Sequence, residues 1–117
     1  MATPQEATLT SSFVFRDGSI RVTVDLGVYR LTAVKKAAYR FADRFTAVIG
    51  TPDQQVVPLE LIFRPATSAA TASEAARQFF EELLDQELRE QIGDETRAVR
   101  SLIIAQAFSR TDLIKRE

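Results

Sequence analysis

The residues best suited to do chemistry are the carboxylates of one acidic run, residues 81–95. This run carries a net charge of −6, because seven acids stand against Arg89 alone: Glu81, Glu82, Asp85, Glu87, Glu90, Asp94 and Glu95. Paired carboxylates catalyse proton transfer when burial or a neighbouring charge shifts their pKa values. The helical spacing of these acids predicts a solvent-exposed helix flank, where such shifts are not expected, so we predict no catalytic residue here.

The composition removes most other catalytic machinery. The 117-residue chain contains no cysteine and no histidine, which excludes thiol nucleophiles, imidazole bases, disulfides and Cys/His metal sites. The four glycines are isolated and form no phosphate-binding loop, and the acids lack the spacing of a calcium loop. We therefore predict a protein that is not an enzyme and has no cofactor and no metal. An enzyme or metal-dependent factor that uses Asp85, Glu90 and Arg100 is the less favoured alternative.

Charge is distributed unevenly along the chain. Residues 30–44 carry a net charge of +4, whereas the whole chain carries −1. Basic and acidic segments can steer a charged partner or attract each other within the fold. The few bases, the pI near 5.5 and the lack of an aromatic ladder argue against nucleic acid as a partner.

Five charged residues of the acidic run and its continuation are candidates for a partner-binding or structural polar network: Asp85, Arg89, Glu90, Arg97 and Arg100. Asp85 and Arg89 have the i,i+4 spacing of a helix-stabilising pair. Arg97 and Arg100 are placed to reach back across a turn at Gly93 towards Glu90 or Glu87, which predicts a polar clasp between two helices.

The first half of the chain predicts a sheet with one helix. Alternating apolar residues on both sides of Asp17-Gly18 predict a hairpin over residues 13–26. A helical stripe follows at Leu31, Val34, Ala38, Phe41, Ala42 and Phe45. Strands are expected at residues 46–50 and 55–63, and Pro58 favours an edge position or a bulge because proline cannot donate to a ladder.

The second half predicts two helices. Thr71 and Glu74 have the spacing of a capping box, and the helix that begins there is expected to bury Ala76, Phe80, Leu84 and Leu88, with Phe79 and Leu83 widening the stripe. Gly93 is placed to end it, and Asp94 is placed to cap the next helix. The apolar residues of that last helix form a candidate oligomer or core face: Leu102, Ile103, Ile104 and Phe108.

Together these elements predict an α+β fold in the order ββαββαα. Helices would pack on one face of a largely antiparallel sheet of about four strands, and the other face would be polar or covered by a partner. The length fits one domain, residues 1–117, with residues 1–11 flexible and residues 110–117 frayed. The N-terminus lacks the features of a signal peptide, and no run reaches the ~20 apolar residues of a membrane span, so we expect a cytoplasmic protein that does not bind a membrane.

One stretch resembles a known family. Residues 82–90, ELLDQELRE, are similar to the signature LLNDYxLRE of the HxsD family, matching at Leu83, Asp85, Leu88, Arg89 and Glu90 and departing at Glu82, Leu84 and Gln86. The resemblance extends to residues 95–96, Arg100 and residues 102–113, and residues 28–45 are similar to the family's first helix. The glutamine at position 86 replaces the family's tyrosine.

The resemblance implies a context. HxsD proteins accompany paired radical SAM proteins and a protein with His-Xaa-Ser repeats, so radical SAM maturases and the repeat protein are the implied partners. A chain without cysteine cannot hold a radical SAM cluster itself. The resemblance therefore implies a non-catalytic accessory subunit that recruits a substrate peptide, by adding it to a sheet edge for example, or scaffolds the maturases. A structural homodimer without peptide-binding role is the alternative.

Overall fold

The computed structural model describes the backbone of residues 13–116 and the side chains of residues 13–109. The chain divides into two compact units, Met1–Glu87 and Leu88–Glu117. Its elements are β1 (Phe15–Arg16), β2 (Ser19–Asp25), α1 (Leu31–Arg40), β3 (Phe45–Ile49), β4 (Val56–Phe63) and α2 (Ala69–Arg116). The predicted α+β class is confirmed. The predicted flexible segment 1–11 lies outside the described residues, as does Glu117 at the end of the predicted frayed segment.

The hairpin forms where the sequence predicts it. Asp17 and Gly18 have φ values of +53° and +78°, which is the pair of left-handed conformations that a two-residue type I′ turn requires. Phe15 therefore faces Ile20 across the β1–β2 ladder.

The sheet has the order β1-β2-β4-β3, and neighbouring strands are antiparallel. The prediction of an edge strand or bulge at Pro58 is wrong, because β4 lies between β2 and β3. The backbone N–H of Gly50 donates to the carbonyl of Pro58 at 2.8 Å, and the N and C=O of one residue face the same neighbour in an antiparallel ladder. The nitrogen of Pro58 thus faces Gly50, which lies one residue past the end of β3. Proline has no N–H to donate there, but no β3 hydrogen bond is lost because the strand has already ended.

Helix α1 is shorter than predicted. It ends at Arg40, and Phe45 begins β3 instead of closing the helical stripe. Ala33, Val34 and Ala37 are its buried residues. Phe41 and Phe45 lie beyond the helix but are also buried. The apolar pattern therefore continues past Arg40 and does not show where the helix ends.

The core of the first unit lies between one face of the sheet and the two helices. Phe79 of α2 is fully buried and packs edge-to-face on Phe41 and Phe45, with ring centroids 5.8 Å apart in both pairs. Phe45 also packs on Phe63 of β4, with ring centroids 5.2 Å apart. The opposite sheet face is open in the described structure and mixes polar residues with three half-exposed apolar ones, Val48, Val56 and Ile62.

The N-cap of helix α2 is Ser68, three residues before the predicted cap Thr71. The hydroxyl of Ser68 accepts the backbone N–H of Thr71 at 3.1 Å, which is the N-cap interaction. The predicted capping box of Thr71 and Glu74 is therefore wrong, and Glu74 instead accepts hydrogen bonds from Arg77 and Gln78.

The predicted break at Gly93 is also wrong, because α2 runs without interruption from Ala69 to Arg116. Gly93 does not adopt the positive φ of a helix-ending glycine. Asp94 does not cap a new helix and instead pairs with Arg97 one turn on. A single Gly inside a helix costs only about 1 kcal/mol, which neighbouring helix-forming residues can offset.

The buried side of α2 differs from the predicted one. Ala72, Ala76, Phe79 and Leu83 are fully buried, whereas Leu84 and Leu88 are about half exposed. Four-residue steps advance ~40° each around a helix, so a row built only of such steps winds off the buried side. Alternating three- and four-residue steps stay on it.

Candidate functional site

The most buried acid among the described residues joins the two helices of the first unit. Glu87 is 5% exposed, and its carboxylate accepts the backbone N–H of Arg30 at 2.8 Å and lies 3.2 Å from the Arg30 guanidinium Nε. Arg30 is the N-cap residue of α1, which has no side-chain cap of its own and no acid in its first turn. Glu87 therefore brings negative charge to the positive end of the α1 dipole.

A second ion pair connects the same helices. The guanidinium Nε of Arg40 lies 3.1 Å from the Glu82 carboxylate, which also accepts the side-chain amide of Gln86 at 2.6 Å. Gln86 is buried. The basic segment and the acidic run are thus joined at both ends of α1.

The prediction that the acidic run is a solvent-exposed flank is wrong at Gln86 and Glu87, because both are buried. Glu87 was expected only as an alternative target of Arg97 or Arg100, and Glu82 and Gln86 were not among the five predicted network residues. A signal was present, because Glu87 and Gln86 continue the buried side of α2 four and three residues after Leu83. A carboxylate that extends a buried stripe indicates a paired charge.

The exposed flank of α2 carries a ladder of ion pairs. Arg77 lies 2.6 Å from Glu74 and 2.7 Å from Glu81. The Arg77 hydrogen bond, followed by that of Gln78, lowers the pKa of the Glu74 carboxyl. These pairs are exposed to solvent, so they stabilise the helix only weakly. They are structural contacts and do not form an acid–base site.

The five predicted network residues all lie on the single helix α2, and not on two helices joined by a turn. Asp85 belongs to the first unit and is exposed; Arg89, Arg97 and Arg100 belong to the second unit and are exposed, and Glu90 is half buried. The predicted clasp across Gly93 is absent because there is no turn there, and Arg97 pairs with Asp94. Asp85, Arg89 and Glu90 each take part in polar or electrostatic interactions.

The four residues of the predicted apolar face are all exposed. Leu102, Ile103, Ile104 and Phe108 have between 46% and 69% of their surface accessible. They do not lie on one side, because consecutive helical residues point ~100° apart.

One edge of the sheet is open among the residues that the structure describes. Strand β3 pairs only with β4. Since Gly50 is hydrogen-bonded to Pro58, alternation along the ladder turns Val48 towards β4 and turns the N–H and C=O of Ala47 and Ile49 outward. Such an edge can accept a further strand.

Two kinds of site are not found within the described part of the chain. Residues 13–109 contain no group of three or more acidic, cysteine or histidine side chains that could hold a metal ion. None of the described helices is both long and apolar enough to cross a membrane.

The described residues thus define a small α+β protein whose acidic run is tied to α1 by ion pairs and whose sheet has an open edge. The family of His-Xaa-Ser system protein HxsD matches residues 24–114. Because this match spans most of the chain, the protein belongs to the HxsD family, which indicates an accessory role in the His-Xaa-Ser system. No curated protein and no solved structure gives a significant match.

Proposed function

We propose that this protein is a non-catalytic binding subunit of a His-Xaa-Ser peptide or protein modification system. It would act in the cytoplasm, recruiting the substrate peptide to radical SAM maturases or scaffolding those maturases. Family membership supports the system, and the absence of cysteine and histidine from the sequence supports leaving the chemistry to the partners.

The open edge of β3 is the observation that carries the binding role. A peptide added there would form backbone hydrogen bonds with Ala47 and Ile49, the two residues whose polar groups point outward. Its side chains would alternate between the covered face and the open face, where Val48 is 47% exposed. Backbone hydrogen bonds give affinity that depends little on the side chains of the peptide. This mode of binding therefore suits a peptide whose repeats contain a variable residue.

A matched pair of variants tests the edge. Ala47→Pro removes the outward N–H but leaves the β4 ladder intact, because that N–H does not pair with β4. Ala47→Val at the same position keeps the donor and favours a strand. We expect Ala47→Pro to weaken binding of a fluorescent His-Xaa-Ser repeat peptide at least tenfold, measured by anisotropy, and Ala47→Val to retain it.

Two results would count against the proposal. If a folded Ala47→Pro protein, checked by circular dichroism, binds the peptide as well as the original chain, the edge is not the binding surface. If neither the repeat protein nor the radical SAM proteins copurify with the chain from cells that express all of them, the proposed role as a whole fails.

A further inference from the structure

The helical residues of the second unit lack a folded environment. Among residues 88–109 none is buried and Glu90 is half buried; the hydrophobic core ends at Leu83 and the last buried residue is Glu87. An unsupported helix of this length is marginally stable in water. Its large apolar side chains therefore indicate a surface that another helix covers.

Part of this helix has the pattern of a coiled coil. Ile92, Thr96, Val99 and Ile103, here called the seam, follow one another at steps of four, three and four residues. At ~100° per residue they fall within ~60° of the helix circumference, which matches alternating d and a positions of a heptad. The three apolar residues of the seam are 57–61% exposed.

The seam borders a groove of the kind that accepts a side chain from a partner helix. The groove is lined by Glu95, Thr96, Val99, Arg100, Ile103 and Ile104. Four of these residues have the spacing i, i+3, i+4 and i+7 that forms a hole in knobs-into-holes packing. They are Thr96, Val99, Arg100 and Ile103. In a parallel pair, the knob that enters this hole is the d residue at the same level, which is Val99 of the second helix.

Charge identifies that second helix as another copy of this chain. Glu95 and Arg100 flank the seam on opposite sides, at the g and e positions, and are five positions apart in the sequence. Within the described residues neither has an ion-pair partner. In a parallel, in-register pair, Glu95 of each copy faces Arg100 of the other. Antiparallel pairing would instead bring equal flanks together and place Glu95 near Glu95.

We propose that residues 92–103 form a parallel, in-register, two-stranded coiled coil with a second copy of this chain. The interface is isologous, so its two Glu95–Arg100 pairs are related by the twofold axis. Leu102, Ile104 and Phe108 lie outside the seam. The proposal is independent of the peptide-binding role of the β3 edge.

Cysteine cross-linking of the full chain tests the orientation, because the sequence contains no cysteine. In a parallel pair each seam residue meets its own copy, so Ile92→Cys and Val99→Cys should each give a disulfide-linked dimer on mild oxidation. Ser101→Cys, ~200° away from Val99 around the helix, should not. An antiparallel pair would cross-link at no more than one of the two seam positions and would overturn the proposal.

Sedimentation equilibrium tests the contacts. Glu95→Arg replaces two attractive contacts by repulsive ones and should raise the dimer Kd about tenfold. Glu95→Arg combined with Arg100→Glu restores opposite charges and should return the Kd to near its original value. Ile103→Asp should abolish the dimer, whereas Phe108→Asp, which puts the same charge on a residue outside both the seam and the groove, should leave it intact.

These outcomes decide the matter. A chain that remains monomeric up to about millimolar concentration overturns the proposal. This holds even if the seam of the monomer is found to bind another protein. So does a dimer that tolerates Ile103→Asp. All substituted residues are exposed, so loss of fold does not obscure the result.

Discussion

Replacement of Glu87 tests whether the first unit depends on the link between α2 and α1. Glu87→Ala removes the carboxylate that accepts the Arg30 backbone N–H at 2.8 Å and faces its guanidinium at 3.2 Å. Glu87→Gln keeps an acceptor of similar shape but removes the charge. Both changes act inside one compact unit.

The expected magnitudes follow from these contacts. A buried hydrogen bond to a charged acceptor contributes ~1.5–3 kcal/mol. The ion pair adds only ~0.5 kcal/mol, because the Arg30 side chain is 38% exposed. We therefore expect Glu87→Ala to lower the free energy of unfolding by about 2–3 kcal/mol and Glu87→Gln by about 1 kcal/mol, since the amide oxygen can still accept.

Urea unfolding followed by circular dichroism measures both values. Glu81→Ala is the control on the same helix: it removes an exposed pair with Arg77 and should lower stability much less than Glu87→Ala does. If Glu87→Ala is no more destabilising than Glu81→Ala, the cap on α1 contributes nothing and the reasoning is refuted. Equal losses for Glu87→Ala and Glu87→Gln would show that charge, not the acceptor, dominates.

Three further outcomes are expected. Gly93→Ala should stabilise α2 by about 0.5–1 kcal/mol, seen as a higher urea midpoint; a loss of stability would instead support a left-handed glycine. Gly50→Ala should cost about 1–3 kcal/mol, because the new Cβ would lie 2.7 Å from Cγ of Pro58; in a double-mutant cycle Pro58→Ala should recover part of that cost. In an NMR titration the pKa of Glu74, lowered by Arg77, should rise towards its ordinary value of 4.5 in Arg77→Ala. Because the folded-state pKa is lowered, any stability from this pair is present above the unfolded-state pKa and is lost as the pH falls through the folded-state value; an unchanged pKa would contradict the pairing.

Elements whose signals are local were predicted well. The Asp17-Gly18 hairpin, the alternation of β4 and the start of α1 each depend on residues within a few positions of one another. The family resemblance was also local, since its signature falls within nine residues, and the HxsD match over residues 24–114 confirms it. The positions of helix ends were less well predicted, because Ser68, Thr71 and Gly93 are all chemically able to end or continue a helix.

The candidate site was predicted only in part. The acidic run was correctly placed on a helix, but Glu87 was expected on a solvent-exposed flank and is instead buried and paired with Arg30. Whether a carboxylate in such a run is exposed depends on what packs against that side of the helix, and here that neighbour is Arg30, 57 residues earlier.

By itself the sequence determined the α+β class, the approximate strands and helices, the lack of thiol and imidazole chemistry, and the family. Only the tertiary structure decided the order β1-β2-β4-β3, the interior position of a strand that contains Pro58, the burial of Glu87 and the open edge of β3. The physical reason is the distance along the sequence between the residues that determine each feature. Periodicity and capping are written in neighbouring residues, whereas strand order and burial follow from contacts between distant segments that share no pattern in the sequence.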